Sequence, residues 1–151
     1  RNGWYTENHT GSISGVLAGG AVFGSAGNGK FSSAARADFA EAAVVVLTEA
    51  GHEGKIYELG GDESYTLAEY AAEIAKQTGK NIVYNNLPAA EYAKVLESFG
   101  LPGFVAEAIA GWDVSASKGD LFDDSHTLSK LTGRPTTPMS QVVKNALSAL
   151  K

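Results

Sequence analysis

The sequence contains no cysteine, which excludes disulfides, thiolate catalysis and zinc–thiolate sites. Its three histidines, His9, His52 and His126, lie far apart. No HxxxH or HxH pair exists, and the spacing predicts no metal site. Basic residues number 12 against 17 acidic ones and form no cluster. A net charge of −5 and a pI of about 5.1 therefore argue against nucleic acid and anionic membrane as partners. Long apolar runs are also lacking. The longest, Phe39 to Leu47, is broken by Glu41 and is far too short for membrane insertion. No secretory pattern is legible, and the sequon Asn8-His9-Thr10 reads as chance. The expected location is the cytoplasm.

Three catalytic signatures are missing as well. Gly24-Ser25-Ala26-Gly27-Asn28-Gly29 is glycine-rich but does not have the G-x-G-x-x-G spacing of a phosphate loop, nor does it precede a capped helix. No G-x-S-x-G elbow supports a hydrolase triad. No tyrosine begins a Tyr-x-x-x-Lys pair, so the usual short-chain dehydrogenase acid–base couple is absent.

What is present is an ordinary globular composition. The 151 residues are 44% hydrophobic and 19% charged, enough for a real core; a domain of this size buries about 68–70% of its unfolded surface. Residues 9–20 read as a short helix or an irregular segment. Ala21-Val22-Phe23 and Lys30-Phe31-Ser32 flank Asn28-Gly29, which predicts a β-hairpin. Asp38 is placed to cap a helix whose stripe is Phe39, Ala42, Ala43, Val46, Leu47 and Ala50, ended by Gly51. Lys55 to Leu59 and Asn81 to Tyr84 read as strands. Thr66 and Glu69 form a capping box for a helix that buries Leu67, Tyr70, Ala71 and Ile74 and closes at Gly79.

Beyond that the chain is helical. Pro88 and Pro102 open two helices, and residues 113–122 read as a loop. Asp124 or Ser125 caps a short helix ending at Gly133. Thr137 caps the last one, with Pro138 in its first turn and a stripe of Met139, Val142, Val143, Ala146, Leu147 and Leu150. About four short strands and five or six helices is too little sheet for a complete doubly wound domain.

The density of chemistry is highest at Arg1-Asn2-Gly3-Trp4-Tyr5-Thr6-Glu7-Asn8. Trp4 and Tyr5 are either core anchors or ring-stacking groups at a ligand. Arg36 is either a surface arginine or a guanidinium that reaches an anionic group. The adjacent pairs Asp62/Glu63 and Asp123/Asp124 read as solvated turns or caps, since neighbouring carboxylates rarely converge on one bond.

Four runs are long and non-generic: residues 1–8, residues 24–40 around Ser-x-Ala-x-Arg-Ala-Asp-Phe-Ala, residues 49–59 (Glu-Ala-Gly-His-Glu-Gly-Lys-Ile-Tyr-Glu-Leu) and residues 117–125. In these runs the chain resembles the NmrA-like, atypical short-chain dehydrogenase/reductase family, and within it the bacterial NAD(P)H:quinone oxidoreductase type 2 subgroup. The resemblance implies an α/β fold: the C-terminal part of a Rossmann-like NAD(P)-binding domain over residues 1–80, with few short strands and a β-hairpin, and a mostly helical substrate-side subdomain over residues 81–151. It implies that this chain is the C-terminal half of a protein about twice as long, with the phosphate-binding glycine loop in the other half.

Carried over residue by residue, Asn2, Gly3, Trp4, Tyr5, Thr6, Glu7 and Arg36 would line the cofactor, and Trp4, Tyr5 and Asn8 the substrate. The implied chemistry is hydride transfer from NADPH, or less readily NADH, to a quinone without flavin or metal. No side chain is assigned a catalytic role. Without the other half, the chain is expected to be inactive and prone to self-association along exposed edges. The alternative implied by the same family is a non-catalytic, dinucleotide-sensing regulatory protein.

Overall fold

The computed structural model describes residues 1–150. In chain order the elements are α1 (Thr6–Thr10), α2 (Ile13–Gly19), β1 (Ala21–Gly24), α3 (Arg36–Thr48) and α4 (Leu67–Thr78). They continue with β2 (Val83–Asn86), α5 (Ala89–Ser98), α6 (Gly103–Ser117), α7 (Thr127–Thr132) and α8 (Met139–Ser148). They fall into two compact units built from interleaved stretches. The first unit takes Arg1–Ser14, Phe31–Ser64 and the residues from Phe122 onward; the second takes Gly15–Lys30 and Tyr65–Leu121. The architecture is mixed α/β with a small parallel sheet, and among the described residues no helix is long and apolar enough to cross a membrane.

The second unit holds the sheet. β1 pairs with β2 in parallel, from Ala21 opposite Val83 to Gly24 opposite Asn86. This replaces the expected hairpin. The glycine-rich turn does form, with Gly27 at φ +54° and the Gly29 N–H donating to the Ala26 carbonyl at 2.8 Å. Its last glycine serves another purpose: a Cβ on Gly29 would lie 2.3 Å from the Ala116 carbonyl oxygen. The glycine permits close approach to the end of α6 rather than reversal into a second strand.

Helix α4 packs on both strands and carries the predicted capping box. Thr66 Oγ1 accepts the Glu69 N–H at 3.2 Å, and Glu69 Oε2 accepts the Thr66 N–H at 2.7 Å. Leu67, Tyr70, Ala71 and Ile74 are buried, and Gly79 ends the helix at φ +69°. Helices α5 and α6 pack together around Tyr92, Ala93, Ala106 and Ala110. Helix α6 runs on to Ser117, through the start of the segment read as a loop. Nothing from Phe104 to Ser117 breaks it, and Ala106, Ala110, Asp113 and Ala116 form one buried face.

The first unit is held by α3, α7, α8 and short bridges. Residues 55–59 form no strand ladder; Leu59 makes one parallel bridge to Asn2. Helix α3 begins two residues before Asp38, which is buried rather than a cap. Its carboxylate accepts from Arg134 Nη2 at 2.8 Å, the Thr137 N–H at 2.8 Å and the Thr137 hydroxyl at 3.0 Å. Arg134 Nε also donates to Glu41 at 2.9 Å. A buried carboxylate requires such partners.

Phe39 and Ala42 face the core with Ala34 and Leu128, whereas Leu47 and Val44 are 83% and 59% exposed. The apolar stripe of α3 is therefore narrower than its spacing suggests. His126, at φ +55°, is the N-cap position of α7, while Ser125 Oγ still accepts the Thr127 N–H at 3.2 Å. Thr137 is committed to Asp38, and Glu63 instead accepts the Met139 N–H at the start of α8. Val142 and Val143 are the buried part of the α8 stripe.

Candidate functional site

Asn2 to Thr6 runs as an extended segment with a bridge at each end, all within the first unit. The Gly3 N–H donates to the Leu59 carbonyl at 2.8 Å, and the Leu59 N–H donates to the Arg1 carbonyl at 3.0 Å. A Cβ on Gly3 would lie 2.8 Å from that same Leu59 oxygen, so glycine is needed for the approach. Further on, Tyr5 bridges Ala34: Trp4 accepts the Ala34 N–H at 3.1 Å, and the Thr6 N–H donates to Ala34 at 3.0 Å. The backbone then coils into α1, so Thr6, Glu7 and Asn8 are helical.

This geometry gathers four of the expected site residues. Asn2 Nδ2 donates to the Tyr5 hydroxyl at 3.2 Å. The Tyr5 ring packs on Phe39 at 5.2 Å, and the Arg36 guanidinium lies 5.6 Å from its centroid, a cation–π contact. Glu7 accepts the Arg36 N–H through both carboxylate oxygens at 3.1 Å. Glu7 thereby supplies the N-terminal cap that Ala35 cannot. A carboxamide, a phenol and an exposed guanidinium stand together on a rigid base. Beside Asn2 a groove of about 400 Å³ opens, lined by Phe39, Ala42, Val46, Ile56 and Tyr57.

The other expected residues are placed differently. Trp4 does not join Tyr5 as a ring wall. Its Nε1 donates to His9 Nε2 at 3.1 Å, and both rings pack on Phe31, at 6.4 and 4.8 Å. Burial holds the His9 pKa down at about 4, so the ring is neutral near pH 7, with Nε2 the acceptor and Nδ1 carrying the proton. Thr6 is fully buried, its hydroxyl 2.8 Å from that of Ser33. Asn8 is exposed on α1.

Sequence reasoning meets His9 only in the histidine spacing and in the sequon, and it singles out neither Ser33 nor Arg134. The one usable signal for His9 was its i+5 spacing from Trp4. Nothing local pointed to Arg134 as the partner of Asp38, 96 residues away.

No family profile matches the chain. It is 54% identical over 145 residues to quinone oxidoreductase 2 of Escherichia coli, covering 96% of this chain and 51% of that protein. The chain thus spans about half the length of that curated relative. It is 56% identical over 121 residues to an uncharacterised protein of Haemophilus influenzae, covering 80% of this chain and 69% of the other. Among solved structures, the E. coli NADPH-dependent quinone oxidoreductase complexed with NADPH superposes with a TM-score of 0.95 at 53% identity, covering 97% of this chain and 52% of that one. The triphenylmethane reductase of a Citrobacter species gives a TM-score of 0.91 at 34% identity, over 98% of this chain and 52% of the other.

Proposed function

The chain belongs to the NmrA-like, atypical short-chain dehydrogenase/reductase family, and from that premise we propose that it forms the nicotinamide-side part of an NAD(P)H-dependent oxidoreductase acting on quinones. The observation that carries the reading is the group Asn2, Tyr5, Glu7 and Arg36. Its donor set fits the carboxamide-bearing end of a nicotinamide cofactor, while no glycine-rich phosphate loop occurs in the sequence to hold the pyrophosphate. Asn2, Tyr5 and Arg36 offer the direct contacts. Gly3, Thr6 and Glu7 act by fixing the backbone that presents them. Trp4, with Tyr5 and Asn8, is assigned to the quinone side, and the helices after residue 81 to the substrate subdomain.

When bound, NADPH supplies the hydride, without flavin or metal. What these residues add is orientation and water exclusion, the principal needs of a hydride step. The parts of the longer relatives that this chain does not span would complete the site, and the protein would work in the cytoplasm.

The test compares this 151-residue chain with a protein of the relatives' full length that contains it. Each is mixed with NADPH and a small benzoquinone, and loss of reduced cofactor is followed by absorbance. Turnover is expected from the longer protein alone. Cofactor binding without turnover there would refute the oxidoreductase reading in favour of a dinucleotide sensor. Calorimetry on the shorter chain should show no NADPH binding at millimolar concentration.

A further inference from the structure

Asparagine is among the chemically labile residues, most of all before glycine, whose nitrogen has no neighbouring Cβ to shield it. The chain has two such pairs, Asn2-Gly3 and Asn28-Gly29. They are held in different ways. At the first pair both reacting groups are engaged. The Gly3 N–H donates to the Leu59 carbonyl at 2.8 Å, and the Asn2 carboxamide donates to the Tyr5 hydroxyl at 3.2 Å. Asn28, by contrast, is exposed in the turn that follows β1.

That turn is fastened one amide at a time. The Ser25 N–H donates to Asp113 Oδ2 at 2.7 Å, the Ala26 N–H to the Tyr84 hydroxyl at 3.2 Å and the Gly27 N–H to Asn86 Oδ1 at 2.9 Å. The Gly29 N–H donates to the Ala26 carbonyl at 2.8 Å. Gly29 itself lies against the end of α6, where a Cβ would stand 2.3 Å from the Ala116 carbonyl oxygen and 2.8 Å from Ser117 Cα. Burial, opposed by the Ser25 N–H, pushes the Asp113 pKa up to about 6. Above that pH its carboxylate is charged and accepts fully.

We propose that Asn28 is a site of spontaneous modification, the first asparagine of the folded chain to lose its amide, and that the product unfastens the turn from α6. The Gly29 nitrogen gives up its proton to solvent and attacks Asn28 Cγ. The new N–Cγ bond closes a cyclic imide, the Cγ–Nδ2 bond breaks, and Nδ2 leaves as ammonia after taking a proton from water. Water then opens the imide at either carbonyl and leaves aspartate or isoaspartate. Nothing is oxidised or reduced.

The native turn restrains the first step, because the attacking nitrogen is bonded to Ala26. Reaction therefore proceeds from the open turn, at a rate set by how often it opens. In isoaspartate the main chain passes through the former side chain and gains a carbon before Gly29. Gly29 has no room to move toward Ala116, so the added length draws it away from α6 and strains the Gly27 contact with Asn86.

The experiment incubates the full chain at pH 8.5 beside a free peptide of residues 21–35. Fragment sequencing by mass spectrometry places each new acid. In the folded chain Asn28 should react ahead of Asn2, yet at least about tenfold more slowly than in the peptide. Asn86→Ala removes the acceptor of the Gly27 N–H and should speed the reaction in the folded chain about fivefold. Asn28 takes no positive φ, so Asn28→Gln fits the turn; its longer side chain closes a larger ring and should abolish the modification. In chains carrying isoaspartate, hydrogen exchange should quicken at least about fivefold at Gly27 and Leu87 and stay unchanged at Thr6 and Ala34.

Earlier loss at Asn2, a folded rate equal to that of the peptide, or no response to Asn86→Ala would overturn the proposal. So would an isoaspartate chain that keeps full protection at Gly27.

Discussion

Mild acid should move the two units in opposite directions. The perturbation is a drop from pH 7 to pH 5, which spans the titration of one group in each unit, the half-buried His9 and the buried Asp113. In the first unit, His9 is held down at about 4 from an ordinary value of 6.5. The unfolded ring takes up a proton in this range and the folded ring does not, so stability falls as the pH drops below 6.5 and goes on falling to about pH 4. Comparing proton binding in the two states gives a loss of about 2 kcal/mol between pH 7 and 5.

In the second unit, Asp113 is raised from 3.8 to about 6. Here the folded carboxyl takes the proton first, and the same comparison gives a gain of about 1 kcal/mol. Asp62 does not interfere. Burial raises its pKa, but hydrogen bonds from Ser129, Thr136 and His126 outweigh this and leave it below the ordinary 3.8, outside the window.

The assay is native-state hydrogen exchange, with protection converted to free energy at each pH after correction for intrinsic rates. The reporters are the Thr6 and Ala34 amides in the first unit and the Val83 and Leu87 amides in the second, all backbone-bonded at 2.8 to 3.1 Å. Acid should lower protection at the first pair and raise it at the second. Equal change at both, or a rise at Thr6 and Ala34, would refute the opposite displacement of His9 and Asp113 from their ordinary pKa values.

Other substitutions give simpler outcomes. Thr66→Ala removes half of the capping box and should cost about 1 kcal/mol in urea denaturation. Gly61→Ala places a Cβ 2.1 Å from the Ser33 carbonyl oxygen; the backbone cannot yield cheaply, and the loss should be about 3 kcal/mol by the same assay. Glu7→Ala leaves the α3 N-terminus without its carboxylate and should cost about 1 kcal/mol, seen as faster exchange in the first turn of α3.

Local signals in the sequence were legible where the physics is local. The Thr66/Glu69 box, Gly79 and Gly133 as helix ends, and the buried face of α4 all depend on residues within a turn or two of each other. The α/β class and the family were legible in the same way, from contiguous runs. The errors lie where a distant partner decides. Asn28-Gly29 signalled a hairpin, but β1 finds its partner about 60 residues on, at Val83–Asn86. Asp38 had the spacing of a cap, but Arg134 and Thr137 claim its carboxylate.

Residues 113–122 read as a loop, yet Asp113 lies inside α6. A single amide, that of Ser25, lets it stay helical and buried. At the candidate site, the sequence named the segment but not its handedness of packing. Tyr5 and Trp4, adjacent in the chain, turn to different neighbours because an extended backbone alternates its side chains.

The interleaving of the two units also has a consequence in time. Arg134 reaches Asp38 across 96 residues; the first stretch of the second unit, Gly15–Lys30, precedes Asp38, and its longer stretch, Tyr65–Leu121, is spelled out between the two. At synthesis rates of about 5–20 residues per second, Asp38 exists for roughly 5–20 s before its counter-ion is made. During that interval the second unit can complete its sheet and helices while the first still lacks α7 and α8. The ribosome therefore delivers an inserted module first and its host last. Until Arg134 arrives, the side chain of Asp38 must stay in water, which leaves α3 as the element most exposed to chaperones and proteases on the nascent chain.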